Sequence, residues 1–412
     1  MSPETAADSV TEDRDLRTGT PVWSSYASSS ITVEALRQGI RADVVVVGAG
    51  VTGALIAEAL SSRGLSTVVL DRRQPGHGST AASTALLQFE LDTPLIRLAD
   101  DVGFERASRV WRRSFKAIED LANLVRHLRL DCDFRGRRAL YLAGSVLGAA
   151  ELAEEGRQRR AIGLPSTFLG ATELRDLAGF EREAALLSSG AADVDPVRLT
   201  HGLLRCAMAR GMRLFSPVQL AEVAPSSRKV AMATADGVEL EAVAVVFATG
   251  YELADGVPSQ GHRRTSTWAF ATRPQPSALW SKGELIWEAS KPYLYIRSTT
   301  DGRVVVGGED EDCDDEAARD ALLPRKTAAL QKKTNQLMPW LDVSAEYAWA
   351  GTFGESANGL PSIGRIPGMA NCYAVLGYGG NGLTFGVIAA QIMAGLLCQR
   401  NDPDASLFAF AS

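Results

Sequence analysis

Val44–Ala54 reads VVVVGAGVTGA, four β-branched residues that stop at a cluster of glycines. Consecutive valines suit a strand buried on both faces, as in a parallel sheet covered by helices. Gly48, Gly50 and Gly53 then follow as G-x-G-x-x-G. The first permits a sharp turn, the second lets backbone approach a pyrophosphate, and the third lets helix and strand pack closely. Val51 and Thr52 open the helix, whose N-terminus presents N–H groups and partial positive charge to phosphates. Ala54 to Arg63 is rich in helix formers and ends at Gly64, before Thr67–Leu70 supplies the next strand. Asp71, with Arg72 beside it, closes that strand. A carboxylate there hydrogen-bonds adenosine ribose hydroxyls and disfavours a 2′-phosphate.

Outward from this βαβ unit the pattern changes. Residues 1–30 are polar and lack periodicity, which predicts a loose, flexible arm with Trp23 and Tyr26 pinning its end. Thr93–Arg129 is helical by spacing, with Pro94 at the first helical position and a break near Gly103. Ala149–Ile162 and Val197–Arg210 also read as helices, and Ala192–Pro196 as a strand running into a turn. Strand-like pieces run from Leu214–Val218 to Arg303–Gly307, with hairpin signals at Asp236-Gly237 and Asp301-Gly302. The order predicts an α/β protein. A Rossmann-type nucleotide domain (40–90, 190–250 and 355–400), with a parallel sheet and helices, is interleaved with an α+β substrate domain (91–189 and 251–354) built on a large antiparallel sheet.

The chain has 412 residues, 46% hydrophobic, and a net charge of -6 with both signs interspersed. That argues against a nucleic-acid partner, which requires a basic stripe. Cys132, Cys206, Cys313, Cys372 and Cys398 are far apart and never spaced as C-x-x-C, so neither a disulfide framework nor a metal site is indicated and a cytoplasmic location is expected. The first thirty residues lack the apolar core of a signal peptide. Leu383–Cys398 contains Gly386, Gln391 and Gly395 and fits a buried helix better than a membrane span, so no integral membrane association is expected.

The βαβ unit alone does not separate NAD from FAD. Four further segments follow it in order: GHGSTAAS at 76–83, ATG at 248–250, GLPSIG at 359–364 and GYGGNGLT at 377–384. With them, residues 40–400 resemble the D-amino-acid oxidase family of FAD-dependent oxidoreductases, which includes glycine and sarcosine oxidases. The resemblance implies that Gly78, Ser79, Thr80 and Ser83 lie along the flavin diphosphate and ring and that Val218 meets the adenine. It implies that Ala248, Thr249 and Gly250 close the nucleotide domain, and that Gly351, Gly379, Gly380, Asn381, Gly382, Leu383 and Thr384 also serve the cofactor. Glycines let backbone lie against a flat ligand, and a following helix aims N–H groups at negative charge. Relatives that tether FAD use a histidine after the Gly-Ser-Thr turn, where Ala81 and Ala82 stand here, or a cysteine near Gly351–Gly354. Non-covalent FAD is therefore implied, with His77 at the surface or near a phosphate.

The family's chemistry implies removal of a hydride from a carbon bearing nitrogen, with hydrolysis of the resulting imine. The flavin carries the hard chemistry and the protein positions a small amine or amino-acid substrate; oxygen or another electron acceptor is the second partner. Phe353 stands where glycine and D-amino-acid oxidases continue from a Trp349-Ala350-Gly351-like stretch to a carboxylate-gripping arginine. Arg297 is the candidate replacement, with Tyr251, Tyr295 and Trp268 as aromatic walls; a solvated strand end is the other reading of Arg297. Gln88 matches a flavin-proximal arginine and Val305 a lysine used in oxygen activation. A hydroxy-acid or alcohol dehydrogenase and a catalytically silent flavin-binding protein are the alternatives. A nicotinamide enzyme is the alternative on the first motif alone.

Overall fold

The valine run lies in the strand Ile40–Val47, inside an eight-stranded sheet. The computed structural model describes residues 9–26, 30–280 and 282–410. Thr67–Leu70 and then Arg213–Phe215 flank this strand on one side, Glu239–Phe247 and then Cys372–Leu376 on the other, all parallel. Ser362–Arg365 closes that edge antiparallel. Leu220–Pro225 and Val230–Thr234 extend from Glu239–Phe247 as an antiparallel ribbon that turns at Asp236–Gly237.

Alternation puts successive valines in different cores. Val44 and Val46 pack with Leu55, Ile56, Ile388 and Ile392 on one face, while Val45 packs with Val68, Leu70, Phe215 and Val245 on the other. The first core is made by the helices Val51–Ser61 and Gly382–Leu397, which lie against each other, with Phe104–Leu128 behind the second. Gly379–Leu397 is the one stretch among the described residues long and apolar enough to cross a membrane, and 67% of its apolar window is buried in the fold.

The second sheet has ten strands. His262–Thr272 is its spine, antiparallel to Ala345–Ser356 on one side and Val304–Glu311 on the other. Leu294–Ser298 pairs with Val304–Glu311 through the hairpin at Asp301–Gly302. Leu285–Glu288 lies parallel to Arg135–Leu142, which pairs antiparallel with Ala184–Asp193. The helix Glu316–Leu337, not anticipated from sequence, covers one face, with Leu330 and Leu337 packed in the same core as Trp268 and Phe270.

Several expectations need correction. Pro94 caps the helix Leu95–Val102 rather than opening it, and Gly103 (φ 85°) separates that helix from Phe104–Leu128. The strand before Pro196 begins at Ala184, and Pro196 starts a helix capped by Asp195, whose carboxylate accepts from Val197 N and Arg198 N. The loose arm fails over residues 9–26. Arg17–Gly19 adds a strand antiparallel to Ala345–Ser356, Val22 and Trp23 are buried, and Val10 N and Glu12 N donate to the carbonyls of Leu220 and Leu253. A sheet edge recruits backbone groups, so a polar segment without hydrophobic period can still join it. Residues 1–8 and 27–29 lie outside the described residues.

Candidate active site

At the C-terminal ends of the parallel strands, where ligands bind in open α/β sheets, a cleft runs between the two sheets. It holds about 1850 Å³ of empty space, part of it open to solvent.

One end is built by the glycine turn. Gly48 has φ 110°, and a Cβ on Gly53 would lie 1.9 Å from the Gly48 carbonyl oxygen, so neither position admits a side chain. Gly50 caps the helix Val51–Ser61, and Val51 N donates to Thr80 Oγ1 at 3.0 Å. Asp71 accepts from Ala49 N at 2.6 Å and from Arg73 N at 2.7 Å. Burial raises its pKa, opposed by these two N–H groups. Arg72 is turned to the Glu12 carbonyl and the Glu252 carboxylate, and Arg73 also pairs with Glu252 at 2.6 Å. Val218, Ala248, Thr249 and Gly250 complete this end.

The segment 78–88 forms the adjoining wall and is fixed from behind. Trp23 Nε1 donates to the Ser83 carbonyl at 2.6 Å, Trp349 Nε1 to Ala82 at 2.8 Å, and Arg297 Nη1 to Thr84, Ala85 and Val194 at 3.1, 2.8 and 2.9 Å. Opposite it, residues 379–384 are stitched to 88–92. Thr384 Oγ1 donates to the Gln88 carbonyl at 2.8 Å, Asn381 Nδ2 to Glu90 at 2.9 Å, and Gly380 N to the Asp92 carboxylate at 2.7 Å.

The far end is aromatic. Tyr251, Trp287, Tyr293, Tyr295, Phe353 and Tyr378 line it, with Thr267, Gln88 and Asp92. Trp287 is backed by Tyr141, stacked at 3.8 Å between ring centroids. Tyr251 donates to the Gly379 carbonyl at 3.4 Å. Burial raises the pKa values of Tyr251, Tyr293 and Tyr295, which keeps all three phenols protonated.

Of the residues expected to serve the cofactor, all but Gly53 and Thr384 line the cleft; those two act from behind, as a packing contact and a backbone tie. Arg297 is absent from the lining. It is neither a substrate grip nor a solvated strand end: it is 2% exposed, lies over Trp23, and sits near Asp193, with burial pulling its pKa down to about 10. Trp268 is no wall either, since its indole N–H donates to the Arg319 carbonyl in the core of the second sheet. Val305 is sealed in the core, and His77 is exposed outside the cleft. Sequence reasoning missed Thr11, Leu16, Asp92, Thr267, Trp287 and Tyr293; only Tyr293, two positions before Tyr295 on the same strand approach, carried a signal that alternation would have caught.

A model of the FAD-dependent oxidoreductase family named DAO matches residues 43–396. The chain belongs to that family. Gamma-glutamylputrescine oxidoreductase of Escherichia coli (strain K12) is 25% identical over 400 residues, 93% of this flavoprotein and 91% of the relative. Glycine oxidase from Geobacillus kaustophilus superposes with a TM-score of 0.74 at 21% identity, covering 90% of this chain and 98% of that one. L-proline dehydrogenase from P. horikoshii gives a TM-score of 0.76 at 17% identity, covering 91% and 97%.

FAD is the cofactor of this oxidoreductase, and the cleft fits it. The Ser79 hydroxyl and the Gln88 side-chain amide are buried on its wall without a hydrogen-bond partner. Buried donors rarely stay unpaired, and these two, with the helix N-terminus at Gly50–Thr52, suit the polar atoms of a bound dinucleotide. No cysteine or histidine is among the described lining residues.

Proposed function

We propose that this FAD-dependent oxidoreductase oxidises the C–N bond of a small amine that lacks a carboxylate on the reacting carbon. One observation carries the reading: among the described residues, Arg72 and Arg73 are the only cations lining the cleft, and both are committed to Glu252 at the nucleotide end. An α-carboxylate bound at the aromatic end would be desolvated without a partner, a cost of several kcal/mol, or about that order. Phe353, where the resemblance places an arginine in amino-acid oxidases, supports the same conclusion.

The residues of 40–90, 190–250 and 355–400 hold the cofactor, and the second sheet covers the substrate. Bound FAD supplies the two-electron acceptor. Around it Trp287 and Phe353, 7% and 8% exposed, exclude water from the reacting carbon. An apolar wall favours the neutral form of an amine, the form that oxidation requires, so no dedicated side-chain base is needed. The N-terminus of Gly382–Leu397 points its partial positive charge into the cleft, where negative charge accumulates on reduction. Five free cysteines fit a reducing, cytoplasmic setting.

The test is an anaerobic titration of the purified holoenzyme with amines, α-amino acids and hydroxy acids, after acid precipitation has shown whether the yellow cofactor is released. Bleaching by amines, with α-amino acids slower, is expected. Bleaching by hydroxy acids alone, or by nothing, overturns the reading.

A further inference from the structure

Behind the tyrosine wall lie carboxylates that the oxidation does not use. Asp92 lines the cleft and stays accessible within it although protein surrounds it on all sides; one of its oxygens takes the Gly380 N–H at 2.7 Å. Asp310 is different. Both of its oxygens are buried beside the hydroxyls of Thr267 and Tyr293, yet neither makes a hydrogen bond of regular geometry. Thr267 and Tyr293 themselves line the cleft.

Among the described residues, no arginine or lysine forms an ion pair with either carboxylate. Asp310 feels Asp92 and Glu355, Asp92 feels Glu355, and each effect is repulsive. Glu355 is already paired with Arg263 at 2.8 Å on the outer side. A buried carboxylate without a cation is costly, and the fold keeps Asp310, with the accessible Asp92 near it, next to a cage of rings. Tyr293 and Tyr295 stand with centroids 5.6 Å apart, and Tyr251 lies edge-on to Tyr378 at 6.1 Å. Aromatic faces and carboxylates are the two surfaces that recognise an ammonium or guanidinium group.

Building on the amine reading above, we propose that the substrate carries a second positive charge, an ammonium or guanidinium remote from the reacting nitrogen, held by Asp92 beside Tyr251, Tyr293 and Tyr295, with Asp310 adding negative potential from behind Thr267 and Tyr293. The reacting nitrogen meets the apolar wall of Trp287 and Phe353, and the distal charge meets the acids. The same site thus gives chain direction: of two ends of a diamine, the one caged by carboxylates stays protonated and unreacted.

The experiment compares butylamine, 1,4-diaminobutane and 4-aminobutylguanidine on the holoenzyme by calorimetry, with anaerobic cofactor reduction as a second readout. The dications are expected to bind about 10- to 100-fold tighter than butylamine, roughly the span of one charge-assisted hydrogen bond. Asp310→Asn and Asp92→Asn are each expected to collapse that ratio, with visible spectrum and melting temperature reporting that the variant is folded and loaded. If butylamine binds and reduces the cofactor as well as the dications, the second-charge inference is wrong while the amine reading survives. If no amine binds and hydroxy acids reduce the cofactor, both are wrong. Should either variant fail to load, the wild-type ratio alone decides.

Discussion

Arg297 Nη1 donates to the carbonyl of Ala85 at 2.8 Å, and Ala85 is held in the left-handed region at φ 56°. The guanidinium therefore works on the backbone of the cofactor wall, from behind it. Arg297→Met keeps the volume and removes the charge, leaving the carbonyls of Thr84, Ala85 and Val194 short of a donor, while Asp193 keeps Arg135 and Arg137 at 2.8 Å. A buried acceptor left without its donor costs about 1–3 kcal/mol. We expect lower urea midpoints and weaker FAD retention, with the ranking of amines unchanged. A variant with normal FAD content and an altered amine ranking would return Arg297 to the substrate site.

Gly53→Ala tests the turn. The new Cβ would fall 1.9 Å from the Gly48 carbonyl oxygen, against backbone that has no side chain to move. Overpacking of this kind costs about 1–3 kcal/mol or more, and the strand–helix turn must open to absorb it. The expected result is protein purified largely without FAD, with a lower melting temperature. Full cofactor content by absorbance would mean that the turn has slack.

Stability is expected to fall as pH rises through the acid range. Burial, with Asp92 and Glu355 adding repulsion, pushes the Asp310 carboxyl up to about 7. A carboxyl raised on folding favours the fold most below its ordinary value of 3.8 and gives that advantage up as pH climbs through the folded value. For Asp310 the loss is up to roughly 4 kcal/mol between about pH 4 and pH 7. Urea unfolding of the substrate-free holoenzyme at several pH values, wild type against Asp310→Asn, isolates the effect. A difference between the two that does not change with pH contradicts it.

Phe353→Arg should change what is bound. Phe353 pairs with Thr265 in the sheet and presents its ring to the cleft. An arginine there supplies a carboxylate with charge-assisted hydrogen bonds of about 1.5–3 kcal/mol, so α-amino acids are expected to gain about 10- to 100-fold in affinity while simple amines lose. Unchanged dissociation constants for α-amino acids in a folded, yellow variant would show that the carboxylate does not reach this wall.

Much of the nucleotide end is legible in the chain because its determinants are local. A strand, three glycines, a helix and an acid lie within Val44–Asp71, and each is required by the residue next to it. The substrate end is assembled from long-range pairings. Asp92 enters the cleft because Gly380 and Asn381 hold it there, almost three hundred positions away. Arg297 misleads for a related reason: Ile296, Arg297 and Ser298 are all buried, so alternation carries no information on which side faces ligand. The first segment misleads because backbone pairing leaves no mark in side-chain hydrophobicity.

That first segment has a bearing on assembly. Residues 9–19 leave the ribosome before everything they touch, yet Arg17–Gly19 finds its partners at Trp349–Gly351, and Leu16 accepts from Thr352 N. Thr11 and Leu16 are cleft residues, so the clasp cannot fasten until the chain is almost complete. Pairings this distant form late. The cofactor's seat has the same dependence, since Gly351 and Gly379–Leu383 also come from the last part of the chain, so neither end of the cleft is complete until that part has joined the fold.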